Sequence, residues 1–229
     1  SFSYDGLEMY VCGTRPGGLG GPDSWVSRRP TTDSDWGPIM NLGPAINSDN
    51  DDSFESISAD GLRLYFDSDR PGGYGRYDIY MSTRATKNDP WEPAVNVGSK
   101  VNGSGTDASA WESPDGLELY FVSYRSGGYG NSDIYVAKRA RATDPWGDPV
   151  NLGSLVNSPY SEHYISLSPD GLLLFFCEPP GEPLRPGGYG GSDMWVTRRA
   201  SHSDPWQAPL NLGPSVNGSA HDIMPRLSP

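Results

Sequence analysis

The chain has 229 residues, with 17 Lys+Arg against 29 Asp+Glu and a formal charge of −12. Its 29 Gly and 22 Pro exclude a mainly helical protein, because both residues break helices. Seven Trp, 13 Tyr and 6 Phe exclude a disordered chain, and the acidic balance speaks against nucleic acid and anionic membrane surfaces. No apolar run approaches the roughly 20 residues that span a bilayer, so no membrane insertion is expected. The opening segment SFSYDGLEMY lacks the basic start and apolar stretch of a secretion signal, and any such signal is expected to have been removed.

The first predicted element already belongs to a repeat. Ser3-Tyr4-Asp5-Gly6 returns as Ser58-Ala59-Asp60-Gly61, Ser113-Pro114-Asp115-Gly116 and Ser168-Pro169-Asp170-Gly171. Further along each copy, Gly-Gly-Tyr-Gly centres on Tyr74, Tyr129 and Tyr189, with Leu19 in the first copy. Asp-x-aromatic follows at Asp23, Asp78, Asp133 and Asp193. A Trp then stands at Trp36, Trp91, Trp146 and Trp206, and an Asn at Asn41, Asn96, Asn151 and Asn211.

Each copy reads as four short strands. In the second copy Ser56–Ser58 ends an inner strand and Asp60-Gly61 makes a tight hairpin. Strands are predicted over Leu62–Asp67, over Asp78–Arg84, and after Trp91 into Asn96-Val97-Gly98. The Arg-Pro-Gly-Gly-Tyr-Gly segment between them is a loop whose glycines permit positive φ. A four-stranded unit repeated about an axis is a β-propeller blade. The expected fold is all-β, a single four-bladed β-propeller over 1–229 with repeats at approximately 3–57, 58–112, 113–167 and 168–227. His221–Ser228 matches Asp51–Ser58, so the C-terminal strand is expected to complete the first blade and close the ring.

The Ser-Pro-Asp-Gly-Leu-x-Leu-Tyr-Phe, Arg-Pro-Gly-Gly-Tyr-Gly and Asp-Ile-Tyr segments resemble the TolB-type propeller repeats of bacterial envelope proteins, called PD40 or WD40-like. The resemblance implies an extracytoplasmic location, periplasmic or secreted. It allows a binding platform, a scaffold or an enzyme domain. On this reading the chain is expected to depart from TolB-type proteins in having four blades rather than six and no separate second domain.

Residues found at one place in every copy are expected to hold the blade together. That applies to the Asp of each turn, to Arg15, Arg70, Arg125 and Arg185, and to six of the seven Trp, which are expected to pack between blades. Asp52, Asp107, Glu162 and Asp222 form another such set, either binding their own blade's amides or, facing a common axis, holding a calcium ion in the tunnel. No other cofactor is expected. Asp67-Ser68-Asp69 loosely mimics a calcium loop, but the sister copies lack its acids and Pro71 occupies the third ligand position, so no metal residues are assigned. Cys12 and Cys177 are expected to be free thiols rather than a bridge.

Chemistry is expected where the copies disagree, at the tunnel mouth. After the repeated acid stand Ser53-Phe54-Glu55, Ala108-Ser109-Ala110, His163-Tyr164-Ile165 and Ile223-Met224-Pro225. Trp111 is the one Trp out of register, and His163, His221, Arg226 and the extra loop Glu178–Pro183 fall in the same zone. The candidate ligand residues are Phe54, Glu55, Trp111, His163, Tyr164, His221 and Arg226, with Tyr74, Tyr129 and Tyr189 as a rim on which sugars stack. Arg226 is expected to pair with a repeated acid, and Glu112, an acid in an apolar slot, with Arg226 or a tunnel water. The favoured function is a module binding a carbohydrate or other small polar ligand, or a protein segment. One alternative is a glycoside hydrolase in which Glu55 works with Asp52, Asp107, Glu162 or Asp222 and His163 assists. The other is a TolB-like protein–protein scaffold.

Overall fold

The structure is a computed structural model and describes residues 1–227. It consists of four antiparallel sheets arranged as a four-bladed β-propeller. The first holds β1 (Glu8–Gly13), β2 (Asp23–Arg28) and β3 (Met40–Asn41). The second holds β4 (Asp52–Ile57), β5 (Arg63–Ser68), β6 (Asp78–Thr83) and β7 (Val95–Asn96). The third runs through β8 (Asp107–Glu112), β9 (Glu118–Ser123), β10 (Asp133–Lys138) and β11 (Val150–Asn151). The fourth runs through β12 (His163–Leu167), β13 (Leu173–Cys177), β14 (Met194–Arg198) and β15 (Leu210–Asn211). No helix among the described residues is long and apolar enough to cross a membrane.

Local chemistry fixes each blade. In the Asp-Gly turns a serine hydroxyl donates to the aspartate two residues on, as Ser58 does to Asp60 at 2.6 Å, and Gly61 takes φ 74°. Farther out, Asp78 accepts from the Tyr74 amide at 2.6 Å and from Asn96 Nδ2 at 2.8 Å. Asn102 Oδ1 accepts from the Ile79 amide, and its Nδ2 donates to the Ile79 carbonyl, both at 2.9 Å. The repeated polar residues are therefore clamps for backbone groups that a strand only two residues long leaves open.

The core lies between blades. Tyr10 of β1 clusters with Trp91 of the next blade, and Tyr65 of β5 clusters with Trp146. Tyr120 of β9 meets Trp206 edge-on at 5.8 Å. Above each of these Trp rings lies an arginine: Arg84 over Trp91 at 4.4 Å, Arg139 over Trp146 at 3.8 Å and Arg199 over Trp206 at 4.7 Å. Both cysteines are free, Cys12 exposed and Cys177 buried.

The first blade shows three strands, and residues 221–227 carry no strand pairing; Ser228 and Pro229 lie outside the described residues. Ser1–Ser3 is itself a copy of Ser56–Ser58, and it takes the place beside β1. Phe2 bridges Met9, and the Tyr10 amide donates to the Ser1 carbonyl at 2.8 Å. Residues 218–224 still follow the path of their sisters: the Asp222 amide donates to the Ser192 carbonyl at 2.7 Å, as Asp52 does to Pro22.

Candidate ligand site at the tunnel mouth

The inner strands β4, β8 and β12 each bulge at one position. Phe54, Ser109 and Tyr164 sit there in the left-handed region at φ 57°, 54° and 51°, and Met224, outside any strand, takes φ 59°. The pairing of β4 with β5 skips between Ser53 and Ser56, and the other two inner strands skip likewise. A bulge of this kind re-aims its side chain. Here it brings Phe54 and Tyr164 together across the axis, with ring centroids 5.2 Å apart. His163 lies edge-on to Tyr164 at 4.4 Å and to Tyr124 at 6.1 Å.

Of these rings, Phe54, Tyr124 and His163 border a cavity of about 460 Å³, and Tyr164 stands behind them. Phe54, Tyr77, Tyr124 and His163 supply aromatic walls, Arg76 and Glu182 opposite charges, and Asp67, Thr106 and Ala108 the remaining lining. Glu182 comes from the extra loop and accepts from Ser161 Oγ and from Asn131 Nδ2 at 3.1 Å. Tyr77 is held in place by donating to Asp51 at 2.7 Å. Arg76 makes no ion pair among the described residues.

Burial sets the protonation of the site. His163 is 9% exposed, its Nδ1 meets no partner, and burial pulls its pKa down to about 4, so the ring is neutral at pH 7. Burial pushes the Asp67 carboxyl well above the usual carboxylate range, against the amide of Ser109, which donates to both its oxygens at 2.9 and 3.0 Å. Glu55 is also raised by burial; it turns toward the first blade, where it accepts from Ser24 Oγ at 2.5 Å.

The other predicted residues go elsewhere. Asp52 accepts from Arg70 at 2.5 Å and from the Ser48 amide at 2.6 Å, and Asp107 from Arg125 at 2.9 Å and the Gly103 amide at 2.6 Å. Glu162 is held by Arg185 and Ser158, Asp222 by the Gly218 amide. Each acid thus serves its own blade, and the described residues contain no cluster of three or more His, Cys, Asp or Glu that could hold a metal ion. Trp111 lies at the far end of the tunnel with Phe2, Tyr4 and Leu167, because its inner strand runs from the mouth inward and Trp111 stands near its end. His221 is exposed and meets Ser192 through Nδ1 at 3.0 Å. Tyr74, Tyr129 and Tyr189 stand on the mouth face but outside the cavity, 51–52% exposed.

Two expected pairings are corrected. Arg226 forms no ion pair among the described residues; it donates to the Ile165 carbonyl at 3.1 Å and lies 5.4 Å from the Trp111 ring. Glu112 pairs instead with Arg63 and Arg139. Asp67, Arg76, Tyr77, Thr106 and Tyr124, which the sequence did not single out as ligand residues, also line the cavity, and Glu182 enters it from the extra loop expected at the mouth. A signal existed for the pair at 76–77: Arg76-Tyr77 stands where the sister copies have Gly21-Pro22, Asn131-Ser132 and Gly191-Ser192.

No protein-family model and no curated protein sequence matches the chain. Solved structures do. TolB from Acinetobacter baumannii superposes with a TM-score of 0.55 at 16% identity, over 96% of this chain and 43% of that one. The putative TolB from Agrobacterium tumefaciens gives 0.56 at 16% identity, over 92% and 64%. The α-L-arabinofuranosidase of Podospora anserina in complex with cellotriose gives 0.53 at 14%, over 93% and 65%. The chain therefore spans about two thirds or less of the length of these proteins, and at such identities the likeness shows the fold. Over most of its length this chain is structurally similar to TolB β-propellers.

Proposed function

We propose that the chain is a ligand-binding propeller module, located outside the cytoplasm, whose mouth cavity takes a carbohydrate or similar small polar ligand. The observation that carries this reading is the composition of the cavity. Residues repeated in every blade are spent on clamps, whereas Phe54, Arg76, Tyr77, Tyr124, His163 and Glu182 are particular to one blade and meet at one place. Aromatic faces stack on sugar rings, and a guanidinium and a carboxylate lining one cavity suit hydroxyls. Tyr74, Tyr129 and Tyr189 extend the surface for a longer chain. The TolB likeness supports the location and leaves a protein segment as the alternative occupant.

Calorimetry with soluble neutral oligosaccharides tests the reading. Phe54→Ala and His163→Ala are expected to weaken binding about tenfold or more, at ~1.4 kcal/mol per tenfold. Absence of binding across a broad panel would remove it. A hydrolase is the second reading, favoured by Asp67, an acid whose pKa burial raises, lining the same cavity as Glu182. Sugar release that is lost in Asp67→Asn while binding persists would establish it.

The same reading has residues 221–227 complete the first blade, supported by the left-handed Met224 that matches the other inner strands. Deleting residues after Asn217 is expected to lower the unfolding midpoint; an unchanged midpoint would count against closure.

A further inference from the structure

The mouth cavity holds more negative charge than the blades need. Asp67 is 1% exposed, and its two oxygens share a single donor, the Ser109 amide, at 3.0 and 2.9 Å. In the sister blades Cys12, Val122 and Cys177 stand at the same place, and the two thiols lie against the equivalent amides of Phe54 and Met224. A thiol or a valine costs little at that depth, whereas a carboxyl loses its hydration there. Asp67 makes no ion pair among the described residues. Farther off, Glu55 and Asp107 push its pKa up with burial, and Arg226 draws it down.

The rest of the wall has the same sign. Glu182 is bonded only to the neutral groups of Ser161 and Asn131. Behind Tyr77 stand Asp51, which accepts its hydroxyl at 2.7 Å, and Asp69, which accepts from the Asp51 amide at 2.9 Å. Burial and these two carboxylates raise the Tyr77 phenol to about 12. Arg76 is the single basic residue of the lining, and it stays exposed at the rim, 5.8 Å from the Tyr77 ring. His163, neutral at pH 7, adds no positive charge.

Phe54, Tyr77 and Tyr124 line the same space, whose volume is that of an ordinary small-ligand site. Aromatic faces attract a cation, and most strongly where water is kept out. A hard metal ion would need oxygens that converge, and no cluster of three or more His, Cys, Asp or Glu stands there among the described residues. Separate carboxylates set among aromatic rings suit a bulkier cation that can use both, an ammonium. These groups all lie within residues 51–182, so the site depends on neither terminus.

We propose that the mouth cavity recognises an ammonium group carried by an amino sugar, with Asp67 and Glu182 as its counter-charges and Phe54, Tyr77 and Tyr124 as its walls. The proposal rests on the carbohydrate reading and narrows it to sugars with a free amine. A neutral sugar would leave the Asp67 carboxyl without a cation, and an acidic sugar would be repelled.

Calorimetry of the whole chain at about pH 6, where sugar amines are charged and His163 is still neutral, compares a glucosamine trimer with its N-acetylated counterpart. The free amine is expected to bind about tenfold tighter or more. Asp67→Asn replaces the carboxyl by a neutral amide of the same shape and is expected to erase that preference. Glu182→Gln, in the extra loop, is expected to reduce it by a smaller factor. Equal binding of the two trimers, or a preference that survives in Asp67→Asn, would overturn the proposal. Trimers that fail to bind while neutral oligosaccharides still do would overturn it alone, and loss of all binding would remove the carbohydrate reading as well. Choline bound as tightly as the glucosamine trimer would overturn the amino sugar as carrier of the ammonium.

Discussion

Glu112 stands between two arginines of different blades: its Oε2 accepts from Arg63 Nε at 2.9 Å and its Oε1 from Arg139 Nη2. At the sister boundaries a single acid on the second strand does this work, Glu8 with Arg84 and Glu118 with Arg199. The second blade has Arg63 at that position, facing Arg139, and Glu112 on the following inner strand supplies the missing negative charge. A side effect is that the Tyr65 hydroxyl has no partner, whereas Tyr10 and Tyr120 donate to Glu8 and Glu118 at 2.9 and 2.7 Å.

Removing Glu112 leaves two part-buried like charges, of which Arg63 keeps its bridge to Asp60 at 3.0 Å. Glu112→Leu is expected to cost about 1–3 kcal/mol in urea unfolding. The double variant Arg63→Glu/Glu112→Leu recreates the sister arrangement and gives the Tyr65 hydroxyl an acceptor. It is expected to recover most of that loss; a double variant as unstable as the single would refute the exchange.

Asp67 serves one backbone amide. Asp67→Asn keeps an acceptor for the Ser109 amide and removes a carboxyl whose ionisation burial opposes, so it is expected to change stability little. Asp67→Val copies Val122 of the third blade but strands the Ser109 amide, at about 1–3 kcal/mol. Chemical denaturation of the pair decides between a bond that matters and mere filling.

His163 makes stability depend on pH. Its folded pKa near 4 lies below the ordinary 6.5, so its neutral form is favoured by folding. Stability is complete above pH 6.5 and falls as pH drops toward 4, because the unfolded state takes up the proton first. The loss amounts to about 3 kcal/mol. Glu162, raised to about 7 by burial, runs the other way, losing stability as pH rises from about 4.5 through 7. The total curve hides both slopes. The difference in unfolding free energy between wild type and His163→Asn isolates the histidine: relative to the variant, the wild type should weaken from pH 6.5 to pH 4, and a flat difference would contradict the burial.

Gly103 invites improvement. Its sisters Ser48 and Ser158 donate their hydroxyls to Asp52 and Glu162 at 2.9 and 2.5 Å, whereas Asp107 receives only the Gly103 amide from that position. A side chain at Gly103 meets only the Asp107 carboxylate, 3.6 Å from its Cβ. Gly103→Ser should stabilise by about 1 kcal/mol, from one hydrogen bond and a less flexible unfolded chain. A lowered thermal midpoint would show that the glycine is needed for another reason.

The repeat made the blades legible without coordinates, because the groups it preserves act within one blade. The turn serine and aspartate, the Asp78–Asn96 clamp and the Asp52–Arg70 pair all close over short stretches of chain. Their spacing therefore specifies their geometry. Disagreement between copies also singled out Phe54, His163 and Tyr164, whose rings lie against one another in the structure.

Contacts between blades were decided by the tertiary structure alone. Which residues of one blade meet which of the next depends on rotation about the axis and on the depth of each strand along it, and neither is encoded in register. That is why Trp111, divergent like Phe54, ended at the opposite end of the tunnel, and why Glu112 found Arg63 and Arg139 rather than Arg226. The cavity collects Asp67 and Arg76 of the second blade, Tyr124 of the third and Glu182 of the fourth, residues that no local spacing brings together.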